Sequence, residues 1–186
     1  MSYDSKTITG TSKFLSYVLR HAPEQIGLRL DSEGWATIDS VLRGALQAGK
    51  SIDADLIKAV VDQNEKKRFS ISQDGLRIRA VQGHSTPAVS LTLSEKVPPA
   101  VLFHGTATRF LESIGKQGLL PGSRHHVHLS ESTETATEVG KRYGAPAILK
   151  VNAQTMHEQG LRFYQAENGV WLTDSVPVEF LTMPSA

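Results

Sequence analysis

The stretch KKRFSISQDGLRIRAVQGHS, residues 66–85, is where the period of the chain changes. Up to residue 65 apolar side chains recur at helical spacing. From there Phe69 and Ile71 alternate with Arg68 and Ser70, and Leu76, Ile78 and Ala80 alternate with Arg77 and Arg79. Asp74-Gly75 stands between the two runs, and an Asp-Gly pair flanked by alternating sequence is the signature of a β-hairpin turn. The outward face of this hairpin carries Arg68, Arg77 and Arg79.

Working back from the hairpin, residues 11–65 read as three short helices. In FLSYVLRHAPE, residues 14–24, Phe14, Leu15, Val18 and Leu19 form one apolar stripe with Tyr17 at its edge. Arg20 falls on the opposite face, and His21 returns to the edge of the stripe. Pro23 forces Ala22 out of helical geometry, so Arg20 and His21 occupy the helix C-terminus. Two basic groups there complement the helix macrodipole by roughly 0.3–1 kcal/mol, which by itself requires no further role. The second helix carries Ile38, Val41, Leu42, Ala45 and Leu46 and stops at Gly49. The third follows an N-cap at Asp53, with Leu56, Ile57, Val60 and Val61 on one face. Three helices followed by a hairpin predict a winged-helix-like lobe over residues 1–85.

Working forward, residues 86–100 (TPAVSLTLSEKVPPA) contain three prolines and no helical stripe, and read as a linker. Residues 101–186 mix short strands with short helices: AVLFHGTA, then TRFLESIGKQG, HHVHLS, ESTETATEVGKRYG, AILKVNA, and extended runs around RFYQ, GVWLT and VEFLTM. The predicted class is therefore α+β with split antiparallel or mixed sheets, not a doubly wound parallel sheet.

Composition bounds the chemistry. A chain of 186 residues with 39% hydrophobic and 21% charged residues is that of an ordinary globular protein. No apolar run reaches the roughly 18 residues that cross a bilayer, and MSYDSKTITG has no signal-peptide core, so no membrane partner and a cytoplasmic location are expected. Zero cysteines exclude disulfides, thiol nucleophiles and thiolate metal sites. A net charge of +1 means that polyanion binding must come from local clusters of arginine and lysine. His126 and His128 share a predicted strand face, yet with no cysteine and no HExxH pattern no metal is expected. GxGxxG and GxxxxGK[ST] loops are also missing, which argues against Rossmann and P-loop nucleotide sites. Trp35 and Trp171 read as core packing.

Seven segments in order, TSKFLSYVLRHAPE, GLRLDSEGWATID, KKRFSIS, IRAVQGHS, LFHGT, GLLPGSRHHVHLS and QAENGVWLT, resemble the successive motifs of the RNA 2′-phosphotransferases, NAD-dependent enzymes of tRNA splicing. The resemblance spans nearly the whole chain. It implies a winged-helix RNA-binding lobe and an NAD-binding lobe with the ADP-ribosyltransferase fold. It also implies removal of an internal 2′-phosphate from RNA. In that reaction the phosphate attacks the nicotinamide ribose and nicotinamide leaves. A neighbouring ribose hydroxyl then resolves the 2′-phospho-ADP-ribosylated RNA into ADP-ribose 1″,2″-cyclic phosphate and a free 2′-hydroxyl. NAD is the co-substrate, and a monomer is expected.

The family's catalytic set matches Arg20, His21, Arg68 and Arg124. A phosphomonoester carries about −1.5 to −2 charges at neutral pH, and the planar arginine fork suits it. On the cofactor side the resemblance implies His104, Gly105 and Thr106 beside the cofactor ribose. His128 stands where many relatives have a nicotinamide-stacking tyrosine, with Ser130 after it, and Asn168, Gly169 and Val170 complete the set. Val170 falls where protein-modifying relatives carry a catalytic glutamate, although Glu167 is near in register. A 2′-phosphate arrives ionised and is its own nucleophile, so it has less need of that glutamate. Lys66, Lys67, Arg77 and Arg79 are candidates for flanking RNA phosphates, and Gln82 and His84 belong to a motif with no assigned role.

Two other readings compete. One is ADP-ribosylation of terminal phosphates of nucleic acid, or of protein, by the same residues. The other is a winged-helix DNA regulator with an NAD-sensing lobe. The third helix, DADLIKAVVDQNE, carries three aspartates and a glutamate, which repel DNA and count against the regulator.

Overall fold

The computed structural model describes residues 3–184. The chain forms two compact units that divide between Thr92 and Leu93.

The first unit opens with α1 (Ser5–Arg20), which starts well before the apolar stripe because Asp4 caps it, its carboxylate accepting from the Thr7 N–H at 2.8 Å. A 3-10 turn at Pro23–Ile26 follows, then β1 (Ala36–Thr37), α2 (Ile38–Gln47) and α3 (Ala54–Asp62). Asp53 caps α3 as its sequence predicts, accepting from the Leu56 N–H at 2.7 Å. The hairpin is β2 (Phe69–Ile71) and β3 (Arg77–Ala80), and β1 adds to it in the antiparallel order β1-β3-β2. Leu15, Val18 and Leu19 of α1, Val41 of α2, Ile57 and Val60 of α3, and Ile78 of β3 are fully or almost fully buried in one core. Each such burial contributes roughly 1.5–3 kcal/mol. Two residues counted in the periodic patterns lie outside it: Leu46 is 72% exposed at the end of α2, and Leu76 is 65% exposed beside the hairpin turn. Residues 86–92, read as the start of the linker, belong to this unit, where Ser90 N–H donates to Ser32 O at 2.8 Å.

The second unit is built from β4 (Leu102–Ala107), α4 (Leu111–Gln117), β5 (Val127–Leu129), α5 (Thr133–Gly140) and β6 (Pro146–Val151), followed by α6 (Ala153–Glu158), β7 (Phe163–Gln165), β8 (Trp171–Thr173) and β9 (Leu181–Thr182). It holds two antiparallel sheets, ordered β4-β6-β9 and β5-β8-β7. They are stitched where Phe103 and Ser130 exchange backbone hydrogen bonds at 2.8 and 2.9 Å. The class is thus α+β with several small antiparallel sheets. Periodicity did not reveal α6, whose six residues bury little beyond Ala153 and Met156. Phe163, Leu149, Leu102 and Met156 form the centre of this unit's core. Among the described residues no helix is long and apolar enough to cross a membrane.

Candidate active site

In the first unit, Pro23 stops α1 and leaves His21 as its C-cap, with the His21 N–H still donating to Tyr17 O at 2.9 Å. The Arg20 side chain is buried, whereas His21 is exposed. The segment 81–85 runs across both. Its Val81 N–H donates to Arg68 O at 3.0 Å, continuing the β2–β3 ladder. At Gly83 (φ +87°) a Cβ would stand 3.7 Å from the Nε and Cζ of Arg20, so the bare backbone lies against the guanidinium. The Ser85 N–H donates to Arg20 O at 2.9 Å, and Ser85 Oγ lies 2.9 Å from His21 Nδ1. One short segment therefore touches Arg68, Arg20 and His21. Gln82 and His84 belong to this motif, and beside them Gly83 lies along Arg20 while Ser85 meets Arg20 and His21. The His84 ring is buried under Gly34.

Arg68 is also held from its own side. Asn64 Oδ1 accepts from Arg68 Nη1 at 3.2 Å and from the Lys66 N–H at 3.1 Å. Lys66 and Lys67 are exposed in the turn that leads to Arg68.

The other two hairpin arginines are arranged differently. The Arg79 guanidinium lies 4.5 Å from the centre of the Trp35 ring, and that of Arg77 lies 5.4 Å from it. Arg79 Nη1 stands 3.7 Å from the Glu33 carboxylate, and Arg77 Nη1 stands 4.0 Å from that of Asp31. Glu33 is itself fixed, accepting from Thr92 Oγ1 at 2.6 Å. Trp35 is therefore not core packing but a half-buried plate on the sheet face, roofed by two cations. Trp171 matches the expectation, at 5% exposure, and its Nε1 donates to Glu131 at 2.7 Å.

In the second unit β4 and β5 bring the candidate cofactor residues together. His104 Nδ1 lies 3.0 Å from His128 O; a carbonyl can only accept, so Nδ1 carries the proton. Burial pushes the His104 pKa down, and the charge of nearby Arg124 pushes the same way, against the pull of the His128 carbonyl. The ring is held neutral, with Nε2 left as an acceptor. Gly105 has a packing reason to be glycine, since a Cβ there would fall 1.7 Å from Ala136 O of α5. Gly140 lets α5 approach from its other end, where a Cβ would stand 2.6 Å from Thr106 O. Thr106 is buried in this contact, and Ser130 Oγ donates to Ser132 O at 3.0 Å.

Leu129 pairs with Trp171, so the β7–β8 turn comes to the Ser130 end of β5. In that turn Ala166 N–H donates to Val170 O at 2.9 Å, Val170 N–H donates to Asn168 Oδ1 at 3.4 Å, and Gly169 takes φ +81°. Val170 thus immediately precedes β8, while Glu167 is exposed at the start of the turn. His126 does not join His128. It lies edge-on to Tyr164, at 5.7 Å between ring centres, and 3.8 Å from the Asp174 carboxylate.

Two arginines and a histidine joined by one segment are groups suited to a phosphorylated ligand. Comparison with known proteins gives the particular family. Residues 6–175 match the model of the RNA 2′-phosphotransferase, Tpt1 / KptA family, and the chain belongs to that family. It is 61% identical over 178 residues to a probable RNA 2′-phosphotransferase of Pseudomonas aeruginosa strain UCBPP-PA14, covering 96% of this chain and 98% of that protein. It is 62% identical over 176 residues to one of Pseudomonas fluorescens strain Pf-5, covering 95% and 97%. It is also 58% identical over 179 residues to the RNA 2′-phosphotransferase of Escherichia coli K12, covering 96% and 97%.

Proposed function

We propose that the protein removes an internal 2′-phosphate from RNA by transferring it to NAD, with the unit before Leu93 serving as a winged-helix RNA-binding lobe and the unit after it as an ADP-ribosyltransferase-like NAD-binding lobe. The observation that carries this reading is the segment 81–85, which bonds to the main chain of Arg68 and of Arg20, lies along the Arg20 guanidinium at Gly83 and meets the His21 ring through Ser85. Guanidinium forks suit a dianionic phosphate, and each charge-assisted hydrogen bond to it contributes roughly 1.5–3 kcal/mol.

Arg20 and Arg68 bind phosphate oxygens in this reading, and His21 holds the phosphate or moves a proton at the reacting oxygens. By motif resemblance, Arg124 is the fourth member of this set. Bound NAD supplies an electrophilic ribose carbon with nicotinamide as the leaving group. The neutral Nε2 of His104 is suited to accept a hydrogen bond from a ribose hydroxyl. Gly105 and Thr106 hold α5 against β4 and so fix the strand that carries His104. His128, Ser130, Asn168, Gly169 and Val170 complete the cofactor surface. Lys66, Lys67 and Arg77 contact flanking RNA phosphates. Arg79, between Trp35 and Glu33, contributes more to the order of the sheet than to RNA.

The test uses a short RNA with one internal 2′-phosphate, incubated with and without NAD. The expected products, formed only with NAD, are nicotinamide, a 2′-hydroxyl RNA and ADP-ribose 1″,2″-cyclic phosphate. No conversion, or arrest at ADP-ribosylated RNA, would sink the reading, and arrest would favour a transferase acting on phosphate ends.

A further inference from the structure

We propose that Asn64 is the positioning residue of Arg68, holding its guanidinium for a phosphate through a neutral oxygen. The inference rests on the reading of Arg68 as a phosphate ligand given above.

The turn between α3 and β2 is wound around this one side chain. Asn64 Oδ1 accepts from both the Lys66 N–H and Arg68 Nη1, at 3.1 and 3.2 Å, and Asn64 O accepts from the Lys67 N–H at 2.8 Å. To return the chain toward Arg68, Lys67 takes φ +39°, the one non-glycine among the described residues in the left-handed region. Such a conformation is costly for a residue with a Cβ and persists where its surroundings enforce it. The winding places Arg68 at the start of β2 with its guanidinium folded back onto the amide four residues earlier.

The choice of amide over acid is informative. Aspartate closes the same turn as readily as asparagine, since both offer Oδ1 to a backbone N–H two residues on. Asparagine brings an additional NH2 group, and here Nδ2 is buried with no hydrogen-bond partner. A buried unsatisfied donor is unfavourable. An aspartate would put a carboxylate oxygen in that place and pair with Arg68, and its charge would compete with an incoming phosphate for the guanidinium. Asn64 orients the fork without adding negative charge.

The experiment compares wild type with Asn64→Asp, Asn64→Ala, Arg68→Ala and Asn64→Ala/Arg68→Ala. It reads the affinity ratio between a 2′-phosphorylated RNA and the same RNA with a 2′-hydroxyl, the single-turnover rate at saturating NAD, and Tm. Asn64→Asp keeps the turn acceptor and is expected to fold, with Tm within about 5 °C of wild type, yet to lose at least tenfold in both rate and phosphate discrimination, with affinity for the 2′-hydroxyl RNA little changed. Asn64→Ala is expected to lose a similar factor, and that loss is expected to vanish in the Arg68→Ala background. Wild-type rate and discrimination in Asn64→Asp, or fully additive losses in the double variant, overturns the inference. An Arg68→Ala protein with wild-type discrimination removes the phosphate-ligand reading itself and this inference with it. An impaired Arg68→Ala beside an unimpaired Asn64→Asp overturns the inference alone.

Discussion

Two sets of basic groups in this molecule are held in opposite ways. Arg68 rests on the Asn64 amide oxygen, His21 on the Ser85 hydroxyl and His104 on a backbone carbonyl. Arg77, Arg79 and His126 stand instead against the carboxylates of Asp31, Glu33 and Asp174. A neutral oxygen fixes direction without setting a negative charge beside the group, whereas a carboxylate fixes direction with one. On the hairpin, the difference sets Arg68, read above as a phosphate ligand, apart from Arg79, which orders the surface between Trp35 and Glu33.

The sharpest challenge to this contrast is to remove one arginine of each kind. Arg68→Ala is expected to slow dephosphorylation of a 2′-phosphorylated RNA by roughly 10²–10³, while Arg79→Ala stays within about twofold in rate. Comparable losses in the two variants would erase the distinction.

Next in size is the hydroxyl under His21. Ser85→Ala is expected to lower the single-turnover rate roughly three- to tenfold, and Ser85→Thr to recover most of it. An unchanged rate in the alanine variant would mean that the 2.9 Å contact orders nothing the reaction uses.

The carboxylate-held set has its own signature. Losing the Trp35 stack and the Glu33 pair in Arg79→Ala is expected to cost about 1 kcal/mol, seen as a Tm lower by roughly 2–4 °C. Glu33→Gln keeps an acceptor for Thr92 but frees charge on Arg79. It is expected to raise affinity for unphosphorylated RNA by roughly two- to threefold at low salt, a gain lost at high salt. Lack of any gain would show that the pairing does not restrain this face.

The smallest effect concerns His104. Its pKa is lowered by burial, reinforced by Arg124, so the unfolded chain takes up a proton at a higher pH than the folded one. The stability it contributes is complete above the unfolded value of about 6.5 and is lost as pH falls through the lower folded value. Wild type should therefore lose Tm more steeply between pH 7 and pH 5 than His104→Gln, and equal slopes would contradict the assignment.

Which parts of this were legible in the sequence follows from the range of the forces involved. The α3 cap at Asp53 and the Asp74-Gly75 turn are local, so spacing alone located them. The alternation of β6, where Ala147, Leu149 and Val151 are buried, was also visible for the same reason. Periodicity overstated Leu46 and Leu76, which continue their stripes past the ends of the faces that are covered. It also missed α6, which is too short to repeat. Trp35 was misread because an aromatic beside a strand looks like core until the cross-strand arginines are placed over it. Arg20, His21, Arg68 and Arg124 were picked out through motif resemblance, whereas Ser85 was not, since a hydrogen bond spanning 64 residues leaves no pattern in either segment. Asn64 offered a faint signal, an asparagine four residues before the arginine, which gains meaning only from the bent backbone at Lys67.

The segment 81–85 works as a ruler. It is anchored at one end to Arg68 through the hairpin ladder and at the other to the C-terminus of α1, so its length in residues sets the spacing between the two groups it joins. Insertions should accordingly divide the hairpin into tolerant and intolerant stretches. One glycine added at the Asp74-Gly75 turn lengthens a solvent loop and leaves the ruler untouched, whereas one added between Ala80 and Ser85 moves His21 and Ser85 out of register.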